Sequence, residues 1–204
     1  MSFQTDFHHV YQPGPAAGRP LLLLHGTGGN EHDLLDLAHA VAPGRTVISP
    51  RGKVLEHGMP RFFKRLAEGV FDEADLRART DELAAFVKGI TAHHKLPAPI
   101  ALGFSNGANI AAALLTLHPE VLGGAILLRA MAPLKDMPAF KLPQTPVLLV
   151  SGKQDTMIPF AQAQRLAASL TAAGAALTHE TLPAGHGLTQ TDLGLMSRFL
   201  AAQE

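Results

Sequence analysis

Three observations predict an α/β fold with a mostly parallel central sheet flanked by helices. Short apolar runs alternate along the chain with segments whose apolar residues recur every three to four positions. Several of the short runs are apolar at every position rather than every second one, as strands covered on both faces are. The runs break off in loops marked by Gly, Pro, Asn or Ser. The length, 204 residues, suits one domain spanning 1–204. A domain of that size buries about 70% of its unfolded surface and needs no disulfide or metal staple.

The elements follow in order. Leu21, Leu22, Leu23 and Leu24 lead into His25 as the first buried strand, which ends in the loop Gly26-Thr27-Gly28-Gly29-Asn30. A helix over 31–42 puts Leu34, Leu37, Ala38 and Val41 on one face, and Pro43-Gly44 stops it. Thr46-Val47-Ile48-Ser49 is the next strand, ending at Pro50-Arg51-Gly52. The stretch 53–72 has weak periodicity and is expected to be a long functional loop with one short helical turn. A long helix over 73–94 follows from Leu83, Phe86, Val87 and Ile90 at i, i+3, i+4 and i+7. Residues 100–104 form a strand, 106–118 a helix closed by Pro119, and 123–128 another buried strand. A connection rich in Pro and Met, 130–142, precedes the strand 146–150 and its sequel Ser151-Gly152-Lys153-Gln154-Asp155. Pro159 is placed to open a helix over 160–173. Residues 175–182 form the last strand, an edge candidate because Pro183 follows. Leu195, Met196, Phe199 and Leu200 mark the closing helix.

Composition removes several classes of function. Lys+Arg and Asp+Glu both number 17, so no basic excess exists to neutralise nucleic-acid phosphates. With no Trp and one Tyr there is no base-stacking platform either. The hydrophobic content, 47%, argues against disorder. The absence of Cys excludes a thiol nucleophile, a Cys-ligated zinc and an iron–sulfur cluster. The start, Met1-Ser2-Phe3-Gln4, lacks a basic-then-apolar leader, and the apolar runs fall far short of the ~20 residues of a membrane span. A soluble, cytoplasmic protein is therefore expected. The pairs His8-His9 and His93-His94 lack the i, i+4 spacing of a zinc-binding helix and read as surface histidines. Gly26–Gly29 is not followed by the Lys-Ser/Thr of a phosphate loop.

The sharpest signal is Gly103-Phe104-Ser105-Asn106-Gly107, which fits G-x-S-x-G between a strand and a helix. A serine on so tight a turn projects its Oγ outward, and side chains two residues to either side would collide, hence Gly at both places. A serine hydroxyl needs a base, and in this arrangement the acid and then the histidine follow the serine in sequence. His118, at a helix end, and His179, inside a strand, are the weaker candidates. His186, between Gly185 and Gly187 after the last strand, is the chosen base. Asp155, at the end of the strand over 146–150, is the preferred orienting acid, with Asp136 its rival. The oxyanion donors are expected to be the backbone N–H groups of Thr27 and Asn106. His25 is expected to order its loop through hydrogen bonds.

Together these motifs resemble the α/β-hydrolase superfamily, in the phospholipase/carboxylesterase branch that includes acyl-protein thioesterases. The resemblance runs from about Arg19 to the C-terminus. It rests on His25-Gly26-Thr27-Gly28-Gly29, the Ser105 pentapeptide, Ser151-Gly152-Lys153-Gln154-Asp155 and Gly185-His186-Gly187. It implies the α/β-hydrolase fold with no large cap domain, and no cofactor or metal. It also implies a serine carboxylesterase acting on small to medium acyl esters through an acyl-enzyme. Asn106 stands where many relatives carry Gln, which counts against a lipid-modified protein as substrate.

The alternatives are a thioesterase or lysophospholipase with the same three residues, or a ligand-binding protein on a hydrolase scaffold. A dienelactone-type hydrolase lacks its usual cysteine here. For substrate contacts, Phe62, Phe63 and Phe71 offer an acyl or aryl pocket, or simply anchor their loop to the core. Arg51 and Arg129 either meet an anionic or carbonyl-bearing substrate or pair with loop carboxylates such as Glu68 or Asp72. A homodimer stays open.

Overall fold

A computed structural model of the chain describes residues 3–15 and 18–203. The reading of the N-terminal start falls in part on Met1 and Ser2, which lie outside the described residues. In chain order the elements are β1 (His9–Gln12), β2 (Leu21–Leu24), α1 (Leu35–Val41), β3 (Val47–Pro50), β4 (Val54–Glu56), β5 (Met59–Arg61), β6 (Arg65–Ala67), β7 (Val70–Phe71), α2 (Glu73–His94), β8 (Ile100–Phe104), α3 (Asn106–Leu117), β9 (Gly124–Leu128), β10 (Pro146–Gly152), α4 (Phe160–Ala172), β11 (Ala176–Leu182) and α5 (Gln190–Ala201).

Among the described residues, seven strands form one sheet in the order β1-β3-β2-β8-β9-β10-β11. The run from β3 to β11 is parallel, and β1 closes one edge antiparallel to β3, pairing His9 with Pro50 and Gln12 with Val47. The fully apolar runs are explained by layering, since successive strand residues face opposite sides. Leu22 and Leu24 pack in the layer that holds residues of α2, α3 and α4. Leu21 and Leu23 pack in the layer that holds residues of α1 and α5. All four are fully buried, each stabilising the fold by about 1.5–3 kcal/mol relative to exposure. α3 is buried along nearly its whole length, which is why it carries the alanine- and leucine-rich sequence of a core helix rather than one apolar stripe. Among the described residues no helix is long and apolar enough to cross a membrane.

Two differences from the sequence-based expectation matter for the site. The stretch 53–72 holds no helical turn; it folds into two short hairpins, β4–β5 and β6–β7. His57 (φ 51) and Gly58 (φ 82) make the first tight turn, with the paired positive φ values that match a hairpin's twist. Gly69 (φ 71) serves the second, whose register shifts between Arg65 and Ala67. Strand β1 was also not anticipated, because its four residues are all half-buried and show no apolar alternation. β11 lies at the other edge, as Pro183 suggested. The parallel strands all run to one edge, where β2, β8, β10 and β11 hand over to the loops and turns that carry Thr27, Ser105, Asp155 and His186.

Candidate active site

Strand β8 ends in a sharp turn at Ser105, whose φ of 53 and ψ of −114 lie where a non-glycine residue is strained. The turn is pinned on both sides. Ser105 N–H donates to the Leu128 carbonyl at 2.9 Å, and Asn109 N–H donates to the Ser105 carbonyl at 2.9 Å. A Cβ on Gly103 would sit 2.6 Å from the Gly107 carbonyl oxygen, and one on Gly107 would strike the Leu24 and His25 carbonyls. Glycine at these two positions is thus required by the approach of α3 to β8 and β2.

His186 Nε2 lies 2.9 Å from Ser105 Oγ, and His186 Nδ1 lies 2.8 Å from Asp155 Oδ2. Asp155 is held from its other oxygen, since Oδ1 accepts N–H donors from Met157 and Ile158, each at 2.9 Å. Its side chain is 1% exposed, against 19% for His186. The rival Asp136 is exposed and makes no hydrogen bond to His186. His118 pairs with Asp81 at 2.7 Å, and His179 bonds Ser151 Oγ at 2.9 Å.

The loop after β2 is set by His25. Its Nε2 accepts the Gly52 N–H at 3.0 Å, so the ring proton sits on Nδ1 and donates to the Gly26 carbonyl at 2.7 Å. Burial pushes the His25 pKa down, which agrees with a neutral ring. The hairpin β4–β5 holds the loop from outside. Gly28 N–H donates to the Pro60 carbonyl at 2.9 Å, and Arg61 Nη1 donates to Thr27 Oγ1 at 2.7 Å. Among the described residues the N–H groups of Thr27 and Asn106 have no hydrogen-bond partner.

Ser105, Thr27, Asn106 and Phe71 line one small cleft with about 40 Å³ of open space. The other predicted contacts are not brought there. Phe62 and Phe63 are buried in the core, where they anchor their segment. Arg51 reaches Glu31 at 2.6 Å and holds that carboxyl down at about pKa 2. Of the two alternatives for Arg129, substrate contact or ion pair, the geometry matches the ion pair: its side chain has no exposure. It forks onto Asp192 at 2.8 and 3.0 Å, not onto Glu68 or Asp72. It also donates to the Gly185 and Gly187 carbonyls, both at 3.0 Å, and so grips the backbone on either side of His186.

Arg61, Arg65, Asn109, Met131 and Met157 also line the cleft and were missed from sequence. For Arg61 and Arg65 the readable signal was the pair of X-Gly turns, His57-Gly58 and Glu68-Gly69, which mark hairpins facing the strand ends. Asn109 sits one helical turn after Asn106, on the same face of α3.

A family model described as Phospholipase/Carboxylesterase matches residues 6–204. The chain belongs to that family. This phospholipase/carboxylesterase member is 45% identical to the MhqD protein of Bacillus subtilis (strain 168) over 184 residues, covering 89% of this chain and 92% of that one. Its fold is similar to that of the Bacillus cereus carboxylesterase, with TM-score 0.94, 41% identity and coverage of 98% and 95% of the two chains. A carboxylesterase from Mesorhizobium loti is similar at TM-score 0.91 and 30% identity, with 98% of each chain covered. The fold is that of the α/β hydrolases, and membership of the family makes the protein an esterase-type hydrolase.

Proposed function

We propose that this protein is a serine carboxylesterase that cleaves small to medium acyl esters through an acyl-enzyme. The observation that carries the reading is the continuous hydrogen-bonded line Ser105 Oγ, His186 and Asp155, with spacings of 2.9 and 2.8 Å. Ser105 Oγ attacks the ester carbonyl carbon as His186 Nε2 takes its proton, and the carbonyl electron pair moves onto oxygen. The oxyanion accepts hydrogen bonds from the free N–H groups of Thr27 and Asn106, each contributing about 2.7–4 kcal/mol of transition-state stabilisation. Collapse breaks the bond to the alkoxide, which leaves with the proton from His186. A water then loses its proton to His186 and attacks the acyl carbon; the proton returns to Ser105 Oγ and the carboxylic acid departs. Asp155 keeps the ring proton on Nδ1 and offsets the imidazolium charge. The small cleft beside Ser105 favours short acyl chains over the long chain of a lysophospholipid.

The test is turnover of p-nitrophenyl acetate and butyrate by the parent and by Ser105→Ala, with fluorophosphonate labelling alongside. The expected result is a loss of more than about a thousandfold in kcat for the variant, with label on Ser105 in the parent alone. Equal rates, or no label on the parent's Ser105, would sink the reading.

A further inference from the structure

Three side chains lining the cleft are almost completely buried and still have donor groups without partners. Arg61 is 3% exposed, Asn106 2% and Asn109 3%. Each has spent its other polar atoms on the protein. Asn106 Oδ1 accepts the Phe62 N–H at 2.8 Å, and Asn109 Oδ1 accepts the Met131 N–H at 2.9 Å. An amide oxygen that accepts from backbone N–H cannot exchange places with its nitrogen, so both Nδ2 groups are fixed as donors. Among the described residues Asn106 Nδ2 is buried without a partner, and Asn109 Nδ2, not fully enclosed, makes no hydrogen bond to the protein. Arg61 uses Nε on the Phe63 carbonyl at 3.1 Å and Nη1 on Thr27 and Glu56, leaving Nη2 without a partner among the described residues. Thr27 Oγ1 accepts from Arg61 and keeps its own proton to donate.

The charge balance points the same way. Arg61 meets Glu56 only at 3.4 Å, and Glu56 is shared with Arg65 at 2.9 Å. One carboxylate between two guanidiniums leaves a positive charge, and a buried charge is favourable only when well paired. Glu68, the acidic side chain lining the cleft, is exposed to solvent. A lining with several unmet donors and a buried guanidinium is matched by a group with acceptor oxygens and negative charge.

We propose that this cleft recognises a carboxylate on the substrate, so that the preferred esters are short ones bearing a carboxylate a few atoms from the scissile carbonyl, with Arg61 and Asn109 as specificity-determining residues. The inference rests on the esterase reading above. The carboxylate has two sources, the acyl side or the alcohol side, and two substrate pairs of matched shape separate them. Monoethyl succinate against ethyl 4-methylpentanoate tests the acyl side. Acetoxyacetate against isobutyl acetate tests the alcohol side.

Hydrolysis is followed by acid release at constant pH and low ionic strength. The expected result is a kcat/KM for the carboxylate ester about tenfold or more above its neutral partner in one pair, expressed mainly in KM and weakened by added salt. Asn109→Asp keeps an oxygen for the Met131 N–H but replaces the donor with an anionic oxygen; it should cut the ratio about tenfold or more. Arg61→Met should bring the ratio to about one whatever it does to the neutral ester, and Arg61→Lys should keep part of the preference. Parent ratios within about threefold of unity in both pairs, with neutral esters still cleaved, overturn this proposal and leave the esterase reading standing. No cleavage of any ester, and no fluorophosphonate label on Ser105, removes both.

Discussion

At the scale of single residues, two buried side chains, Arg129 and His25, hold the loops on either side of the candidate site through hydrogen bonds. Arg129 has no exposed surface, pairs with the equally buried Asp192, and grips the carbonyls before and after His186. Asp192 in turn accepts from the N–H and hydroxyl of Thr189, at the start of α5. Arg129→Met would strand that carboxylate, and a broken buried pair costs about 3–5 kcal/mol. Urea denaturation should show a loss of that size, and kcat on p-nitrophenyl acetate should drop with it as the His186 backbone loosens. Unchanged stability would contradict the pairing. His25 acts in the same indirect way on the loop that carries Thr27. Its Nε2 must stay unprotonated to accept the Gly52 N–H, and burial pushes its pKa below the ordinary 6.5. The unfolded chain therefore takes up a proton at a pH where the folded one does not. Stability from this residue is full above pH 6.5 and falls as the pH drops below that value toward the lowered one. Burial also lowers His94 and His179, so the comparison needs a variant. The stability lost between pH 7 and pH 5 should be smaller in His25→Gln than in the parent; an equal loss would mean the ring is not held neutral.

At the scale of elements, the sequence makes some pieces legible and hides others for physical reasons. The helix over 73–94 was readable to the residue because one apolar face repeats at helical spacing, while Asp72 caps its start and Lys95 ends it in the left-handed region. The strand–turn–helix around Ser105 was readable because steric crowding demands its two glycines. The Asp155 assignment followed from its place at a strand end, and Ser105, His186 and Asp155 lie in one hydrogen-bonded line. Two hairpins were hidden in 53–72, since strands of two or three residues are too short to show alternation. Only their tight turns signal them. The hairpins bring Arg61 and Arg65 to the cleft while Phe62 and Phe63 turn inward. Gly58 tests the turn. It adopts φ 82 with no atom within 4 Å of where a Cβ would lie. Gly58→Ala should therefore cost about 1 kcal/mol through backbone conformation alone. Since β4–β5 braces Gly28 and Thr27, kcat for a small ester should fall severalfold at the same time. A fall in stability with full activity would show that the brace is not needed.

At the scale of the whole molecule, the two apolar layers share one sheet, and that sharing decides how the protein should unfold. Every central strand sends alternate residues to both sides, so neither layer can lose its strands without exposing the other. Leu22 and Leu23 are chain neighbours on β2, both fully buried, and each belongs to a different layer. Replacing either with Ala removes comparable apolar volume and leaves a cavity, at a cost of about 2–5 kcal/mol. If 1–204 is one domain, Leu22→Ala and Leu23→Ala should each move the entire unfolding transition to lower denaturant. Far-ultraviolet circular dichroism and hydrogen exchange in helices of both layers should then shift together. Helices α2, α3 and α4 report one layer, and α1 and α5 the other. A variant in which only one helix set loses protection, or in which two transitions separate, would show that the layers are independent cooperative units. The site gives a functional reading of the same coupling. Ser105 is followed by α3 in one layer, while His186 is tied through Arg129 to Asp192 of α5 in the other. The 2.9 Å spacing between Ser105 Oγ and His186 Nε2 is therefore set by both layers at once, so esterase activity should disappear in step with the single transition rather than ahead of it.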